Sequence, residues 1–128
     1  MKYINLTNVF RLHAILAVLY AIGLVLIPQT IIGLLSPTPL NGPGTDITRL
    51  FGAALVLVAM LAWGASNQTD RAARRGTAQF LLVYVTLGLI ITLLGQLAGT
   101  WGPLGWSNVI AYAIFVVGYG YFLFIKPE

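Results

Sequence analysis

Four long apolar runs occupy most of the chain and restrict what it can fold into. They lie near residues 9–27, 48–66, 77–98 and 106–125. Each is about 20 residues long, which is the length that an α-helix needs to cross the hydrocarbon core of a bilayer. Because that core offers no water to the backbone, its polar groups must pair within the segment, and each run is predicted to be helical.

The composition agrees with a chain that is surrounded by lipid. Of the 128 residues, 59% are hydrophobic and only 8% are charged, against about 25% charged in soluble domains. We therefore predict an all-α fold, an integral membrane up-down four-helix bundle that forms one transmembrane domain. Its helices are expected at about 8–27, 46–66, 76–98 and 106–125.

A segment between the first two spans is too short to cross the membrane. Its apolar half, PQTIIGLL, is expected to lie along the interface as a brief helix. Its second half is predicted to be a loop because it is rich in helix-breaking residues, namely Pro37, Pro39, Gly42, Pro43 and Gly44. Thr45 or Asp46 is then expected to cap the next helix.

The positive charges are distributed unevenly over the loops. With four spans, six of the seven basic residues fall on one side, namely Lys2, Arg11, Arg71, Arg74, Arg75 and Lys126. Arg49 lies on the other side. The positive-inside rule predicts that both termini are cytoplasmic. Topology and anionic lipid explain the basic character, so no nucleic-acid partner is predicted.

Two opposite charges stand where the second span begins. Asp46 is expected in the first helical turn, and Arg49 can reach it from three residues further on. The simplest interpretation is a capped helix whose arginine extends to water. Alternatively, Asp46, Arg49, Gln96 and Asn108 converge at the outer mouth of the bundle and bind an anionic head group or a partner chain.

The last span carries an aromatic stripe at helical spacing, Tyr112, Phe115, Tyr119 and Phe122. Such a stripe is typical of a helix-packing face. The alternative is a pocket for a flat apolar ligand such as a quinone, a sterol or a pigment, in which Tyr112 and Tyr119 are candidate contacts.

His13 is the only histidine. We expect it to form a hydrogen bond to a neighbouring helix or to the head-group region. Axial ligation of a haem or a chlorophyll is the alternative, although no second histidine is present. Otherwise no cofactor is predicted.

The usual signatures of catalysis are missing from the sequence. No carboxylate lies in the middle of a span, and no HExxH, P-loop or GxSxG motif is found. We therefore predict a protein that is not an enzyme, most simply an accessory or structural subunit of a larger respiratory or photosynthetic membrane assembly that contacts other chains or copies of itself. The alternative is a binder or transporter of a small apolar or amphipathic ligand (quinone, lipid or pigment).

The second span and the segments that flank it form a further pattern. The span reads RLFGAALVLVAMLAWGASN, a basic DRAARRG loop follows, and LGW leads into the last span. This layout resembles small uncharacterised bacterial four-helix membrane proteins, of which the DoxX-like families are the most similar named group. The resemblance implies a bacterial inner-membrane location and, for some such proteins, association with oxidoreductases. It assigns no catalytic residue.

Overall fold

The computed structural model describes residues 3–128, and this part of the chain contains helices and no strand. The helices are α1 (Leu6–Leu26), α2 (Pro28–Leu35), α3 (Gly42–Asn67), α4 (Arg71–Leu97) and α5 (Trp106–Gly120). A 3-10 turn, Pro103–Gly105, precedes α5, and a π-helical segment, Tyr121–Ile125, continues it. Lys2 lies outside the described residues.

The predicted fold class is confirmed. Four helical segments are long and apolar enough to cross a membrane, namely α1, α3, α4 and the stretch Pro103–Ile125 that contains α5. The short helix α2 connects the first two. The protein is therefore a multi-pass membrane protein whose apolar helices contact the lipid bilayer.

The four spans form two closely packed pairs, α1 with α3 and α4 with α5. Smaller contacts between α3 and α4 and between α1 and α5 join the pairs into one bundle. We call the end that holds both termini and the α3–α4 loop the terminal end. The opposite end, with α2 and the α4–α5 loop, is the α2 end.

The start of α3 corrects the sequence-based expectation. Asn41, not Thr45 or Asp46, is the N-cap, and its side-chain oxygen accepts a hydrogen bond from the Gly44 N–H at 2.6 Å. Pro43 fits in the first turn because its missing N–H would have no helical partner there. Gly42, Pro43 and Gly44, which were predicted to lie in the loop, thus begin the helix, whereas Pro37 and Pro39 lie in the loop as expected.

The start of α4 also lies earlier than expected, at Arg71 instead of near residue 76. The Asp70 carboxylate accepts a hydrogen bond from the Ala73 N–H at 3.1 Å and caps this end. The basic loop is therefore mostly the first turns of α4, because arginine and alanine are good helix formers.

The main core lies in the terminal half of the bundle. Its sealed members, each 0% exposed, include Leu6, Phe10, Val85 and Tyr119. Buried alanines line the same core and allow close helix approach, namely Ala14, Ala62, Ala65 and Ala78. After Val85, α4 contributes no buried residue, so the two helix pairs are less closely packed toward the α2 end.

The short helix α2 closes the α2 end. The carbonyl of Leu35 accepts a hydrogen bond from the Gly102 N–H at 2.8 Å, and the Ser36 hydroxyl donates to the Thr100 carbonyl at 3.2 Å. Isoleucines of α2 pack on a smaller core cluster of α1 and α3. The helix thereby connects the first helix pair to the α4–α5 loop.

Candidate functional site

A buried histidine and tyrosine pair lies between α1 and α5. The Nδ1 atom of His13 is 2.8 Å from the Tyr119 hydroxyl oxygen, and the two side chains are 5% and 0% exposed. His13 is the eighth residue of α1, which places it about 10 Å from the start of the helix. Because a buried polar group without a partner is costly, each side chain stabilises the other within the apolar span.

Aromatic rings surround His13 on two more helices. The Phe115 ring of α5 stacks on it with a centroid distance of 4.3 Å and an interplanar angle of 24°. The Tyr84 ring of α4 lies 6.3 Å away at 20°. Two nearly parallel rings therefore hold the imidazole in one orientation.

The second ring nitrogen of His13 is left without a partner. Within residues 3–128, Nδ1 makes the only hydrogen bond of this side chain. In the same range, the side-chain polar atoms that are both sealed and unpartnered are Arg75 Nη1 and Gln96 Oε1. His13 Nε2 is also unpartnered but is not one of these sealed atoms. Part of its surface is therefore accessible, and the atom can contact a further group.

Two more hydrogen-bonded pairs continue toward the α2 end. The hydroxyls of Tyr84 and Tyr112 are 3.3 Å apart. Closer to the α2 end, the Tyr20 hydroxyl donates to the Asn108 side-chain oxygen at 2.6 Å. Together the three pairs form what we call the polar row, which consists of His13, Tyr20, Tyr84, Asn108, Tyr112 and Tyr119.

Gly88 allows the Tyr112 ring to lie against α4. A Cβ atom at this position would come within 2.7 Å of the Cδ1 and Cζ atoms of that ring. Asn108, Tyr112 and Tyr119 are four and seven residues apart, so they occupy one face of α5. The row is thus positioned by one helix face and completed from α1 and α4.

Gln96 and Asn108, both predicted site residues, bind different partners. The Gln96 amide nitrogen donates to the Gly102 carbonyl at 2.9 Å and fastens the α4–α5 loop. Its oxygen is sealed without a partner, and a Cβ atom at Gly105 would lie 2.5 Å from it. Gln96 therefore supports the loop, whereas Asn108 belongs to the polar row.

The predicted contact between Asp46 and Arg49 is not formed. Arg49 Nε donates instead to the Val25 carbonyl at 3.2 Å, near the end of α1. Asp46 is exposed and makes no hydrogen bond or ion pair within residues 3–128. The reason is that the last carbonyls of a helix lack helical partners, and Arg49 satisfies one of them.

Two basic residues near the α3–α4 loop hold helices together. Arg74 donates to the Ala65 carbonyl at 3.2 Å and to the Thr7 hydroxyl at 3.0 Å, and its guanidinium lies 5.7 Å from the Phe10 ring centroid. Arg75 donates to the Leu123 carbonyl at 3.2 Å. These contacts add a structural role to the charges from which the topology was predicted.

Sequence reasoning missed two members of the polar row. Tyr84 shares a four-residue spacing with Gly88, Thr92 and Gln96, a pattern that indicates a helix-packing face but does not by itself indicate a binding site. Tyr20 carries no such signal, because its neighbours in the second half of α1 are all apolar and only the rotation of the helix brings it to Asn108.

The described residues contain no group of three or more histidine, cysteine or acidic side chains that could hold a metal. Ligation of a haem or a chlorophyll by His13 stays a prediction. No protein-family model, curated protein or solved structure matches the chain. The DoxX-like resemblance therefore also stays a prediction.

Proposed function

We propose that the protein binds a small amphipathic molecule of the bilayer at the polar row. The observation that supports this best is the His13–Tyr119 pair, which lies inside an otherwise apolar span. Ionisable side chains are rare at such depth and commonly mark functional sites. The unpartnered Nε2 atom leaves one hydrogen-bonding position for the ligand.

The packing of the bundle favours binding over passage across the membrane. On the terminal side of the polar row, the sealed side chains of Leu6 and Phe10 close the interior. Toward the α2 end, α4 buries no residue against the first helix pair. A site that is closed at its terminal side suits a binding protein better than a transporter.

The binding proposal is tested by purification from the native membrane in mild detergent. Extraction and mass spectrometry should find a small molecule that stays with the wild-type protein. His13→Leu should lose it because the polar contact is gone, while Tyr121→Phe, on a tyrosine 38% exposed, should retain it. Equal occupancy in both variants, or an empty wild-type protein, would reject the proposal.

A second candidate function is that of an accessory subunit in a larger membrane assembly. Its support is the outward surface of α4 beyond Val85, where every large apolar side chain that faces outward is at least half exposed, namely Leu87, Ile90, Ile91, Leu94 and Leu97. A photoreactive residue at Ile91 should cross-link one partner chain, and the same residue at Leu57 of α3 should not. Lipid adducts at both positions would contradict this candidate.

We also propose that the protein resides in a bacterial inner membrane with both termini in the cytoplasm. The concentration of basic residues at the terminal end supports this orientation. Because the chain has no cysteine, Gln68→Cys and Thr100→Cys introduce unique thiols at exposed positions. An impermeant maleimide added to intact spheroplasts should label only Thr100→Cys, and labelling of Gln68→Cys alone would reverse the orientation.

A further inference from the structure

The spans that surround the polar row carry formal charges only toward their ends. The sequence has no aspartate, glutamate, lysine or arginine in 12–45, 50–69 or 76–125. Two cations lie near this region, but neither hydrogen-bonds to the polar row. The Arg74 guanidinium is engaged by the Ala65 carbonyl and the Thr7 hydroxyl, and Arg75 donates to the Leu123 carbonyl while its Nη1 atom is sealed. An anionic group in the row would be buried without a counter-ion, which is strongly unfavourable.

The ring geometry favours a flat ligand. Phe115, His13 and Tyr84 present nearly parallel rings from three helices, with interplanar angles of 24° and 20° to the imidazole. His13 and Phe115 are 5% and 4% exposed, whereas Tyr84 is only partly buried. A planar group would therefore extend the stack at the Tyr84 ring, because offset parallel arrangements of aromatic rings are favourable.

The hydrogen bonding of His13 indicates what the ligand must offer. Within residues 3–128, the Tyr119 hydroxyl has no partner other than Nδ1. The hydroxyl hydrogen of Tyr119 has an acceptor only if it is donated to Nδ1. Nδ1 is then unprotonated, so the neutral imidazole carries its proton on Nε2. Nε2 is then a donor, and its natural partner is an oxygen acceptor.

From these observations we propose that the ligand is an uncharged molecule with a planar ring that bears a hydroxyl or carbonyl oxygen, and that His13 Nε2 donates a hydrogen bond to this oxygen. This inference rests on the proposed binding function and narrows it to one chemical class. It excludes fatty acids and phospholipid head groups from the row.

Three probes of similar shape test the class directly. Binding of 2-naphthol, naphthalene and 2-naphthoate to the wild-type protein in detergent is measured by titration calorimetry at neutral pH. We expect saturable binding of 2-naphthol, binding of naphthalene that is about tenfold weaker because one hydrogen bond is lost, and no binding of 2-naphthoate. Binding of 2-naphthoate as tight as that of 2-naphthol would overturn the inference.

A variant separates the two imidazole nitrogens. His13→Asn keeps an amide group near the position of Nδ1 and removes Nε2, so it should bind 2-naphthol and naphthalene equally. Tyr121→Phe is the control and should keep the tenfold difference. A tenfold difference between 2-naphthol and naphthalene that persists in His13→Asn would contradict the role of Nε2. If this variant does not fold, the comparison of the three probes on the wild-type protein still decides the ligand class.

The outcomes for the ligand class and for the binding function are distinguishable. If the wild-type protein retains a native molecule that 2-naphthol does not displace, the inference fails and the binding function stands. If the wild-type protein carries no molecule and binds none of the probes, both fail.

Discussion

At the residue scale, the interior of this bundle depends on a few hydrogen bonds between side chains of different helices. Burial of apolar surface does not drive helices together in lipid, so such bonds and close backbone approach take its place. His13 and Tyr119 are the most deeply buried example, and Gly88 provides the close approach for Tyr112.

Removing the Tyr119 hydroxyl should destabilise the fold. Tyr119→Phe leaves His13 Nδ1 buried without its partner, which costs about 1–3 kcal/mol. The loss is measured as the free energy of unfolding in detergent micelles. Tyr121→Phe removes an exposed hydroxyl and should stay within about 0.5 kcal/mol of the wild type; an equal loss in both variants would show that the bond contributes nothing.

A methyl group at position 88 should disturb the α4–α5 pair. In Gly88→Ala the new Cβ atom overlaps the Tyr112 ring, and overpacking of this kind costs about 1–3 kcal/mol. Gly64→Ala is the matched control, since its Cβ atom meets nothing within 4 Å. Thermal unfolding should show Gly88→Ala melting below the wild type and Gly64→Ala melting at or above it.

Only part of this residue-scale arrangement was predictable. A single histidine in an apolar helix is visible in the sequence, and its bond to a neighbouring helix was expected. Its partner depends on helix rotation, which apolar sequences do not reveal because lipid-facing and core-facing residues are equally hydrophobic. Tyr20 and Tyr84 were missed for the same reason.

At the element scale, side chains that satisfy helix ends decide where the helices begin and how they are tied together. Arg49 donates to a late carbonyl of α1, and Arg74 connects the end of α3 to the start of α1. Arg74 was assigned to topology alone, and Arg49 was expected to reach Asp46 or water, so neither contact was anticipated.

Neutralising Arg74 should weaken the terminal end of the bundle. Arg74→Gln loses the hydrogen bonds to the Ala65 carbonyl and the Thr7 hydroxyl, which should lower the free energy of unfolding by about 1.5–3 kcal/mol. Arg71→Gln removes the same charge from an exposed residue and should change it by less than about 0.5 kcal/mol. Chemical denaturation in micelles distinguishes this from a general charge effect, which would make the two variants alike.

At the scale of the whole molecule, the apolar runs predicted the four spans correctly, whereas their pairing was beyond the sequence. The starts of α3 and α4 were predicted about four and five residues too late, because their capping residues, Asn41 and Asp70, lie further upstream than expected. The division into two helix pairs, tightly joined only in the terminal half, follows from three-dimensional packing.

The two helix pairs should associate even when the chain is divided between them. We expect residues 1–68 and 69–128, expressed together, to co-purify, because the terminal core is shared by both halves. Ala78→Leu overfills a position that is 0% exposed and should abolish co-purification, while Ala72→Leu, at an exposed position, should not. Association that survives Ala78→Leu would show that this core does not hold the pairs together.

The π-helical segment after Gly120 makes the chain unusually sensitive to its length at that point. Such a segment holds one residue more than the same rise of regular helix. Deleting one residue between Tyr121 and Ile125 would let this turn close as regular helix, so that the hydrogen bond between residues five apart, from the Lys126 N–H to the Tyr121 carbonyl, becomes one between residues four apart. The Leu123 carbonyl, which lies within this segment and accepts from Arg75, would then shift, so the shortened chain would lose one contact between the end of the last span and the start of α4.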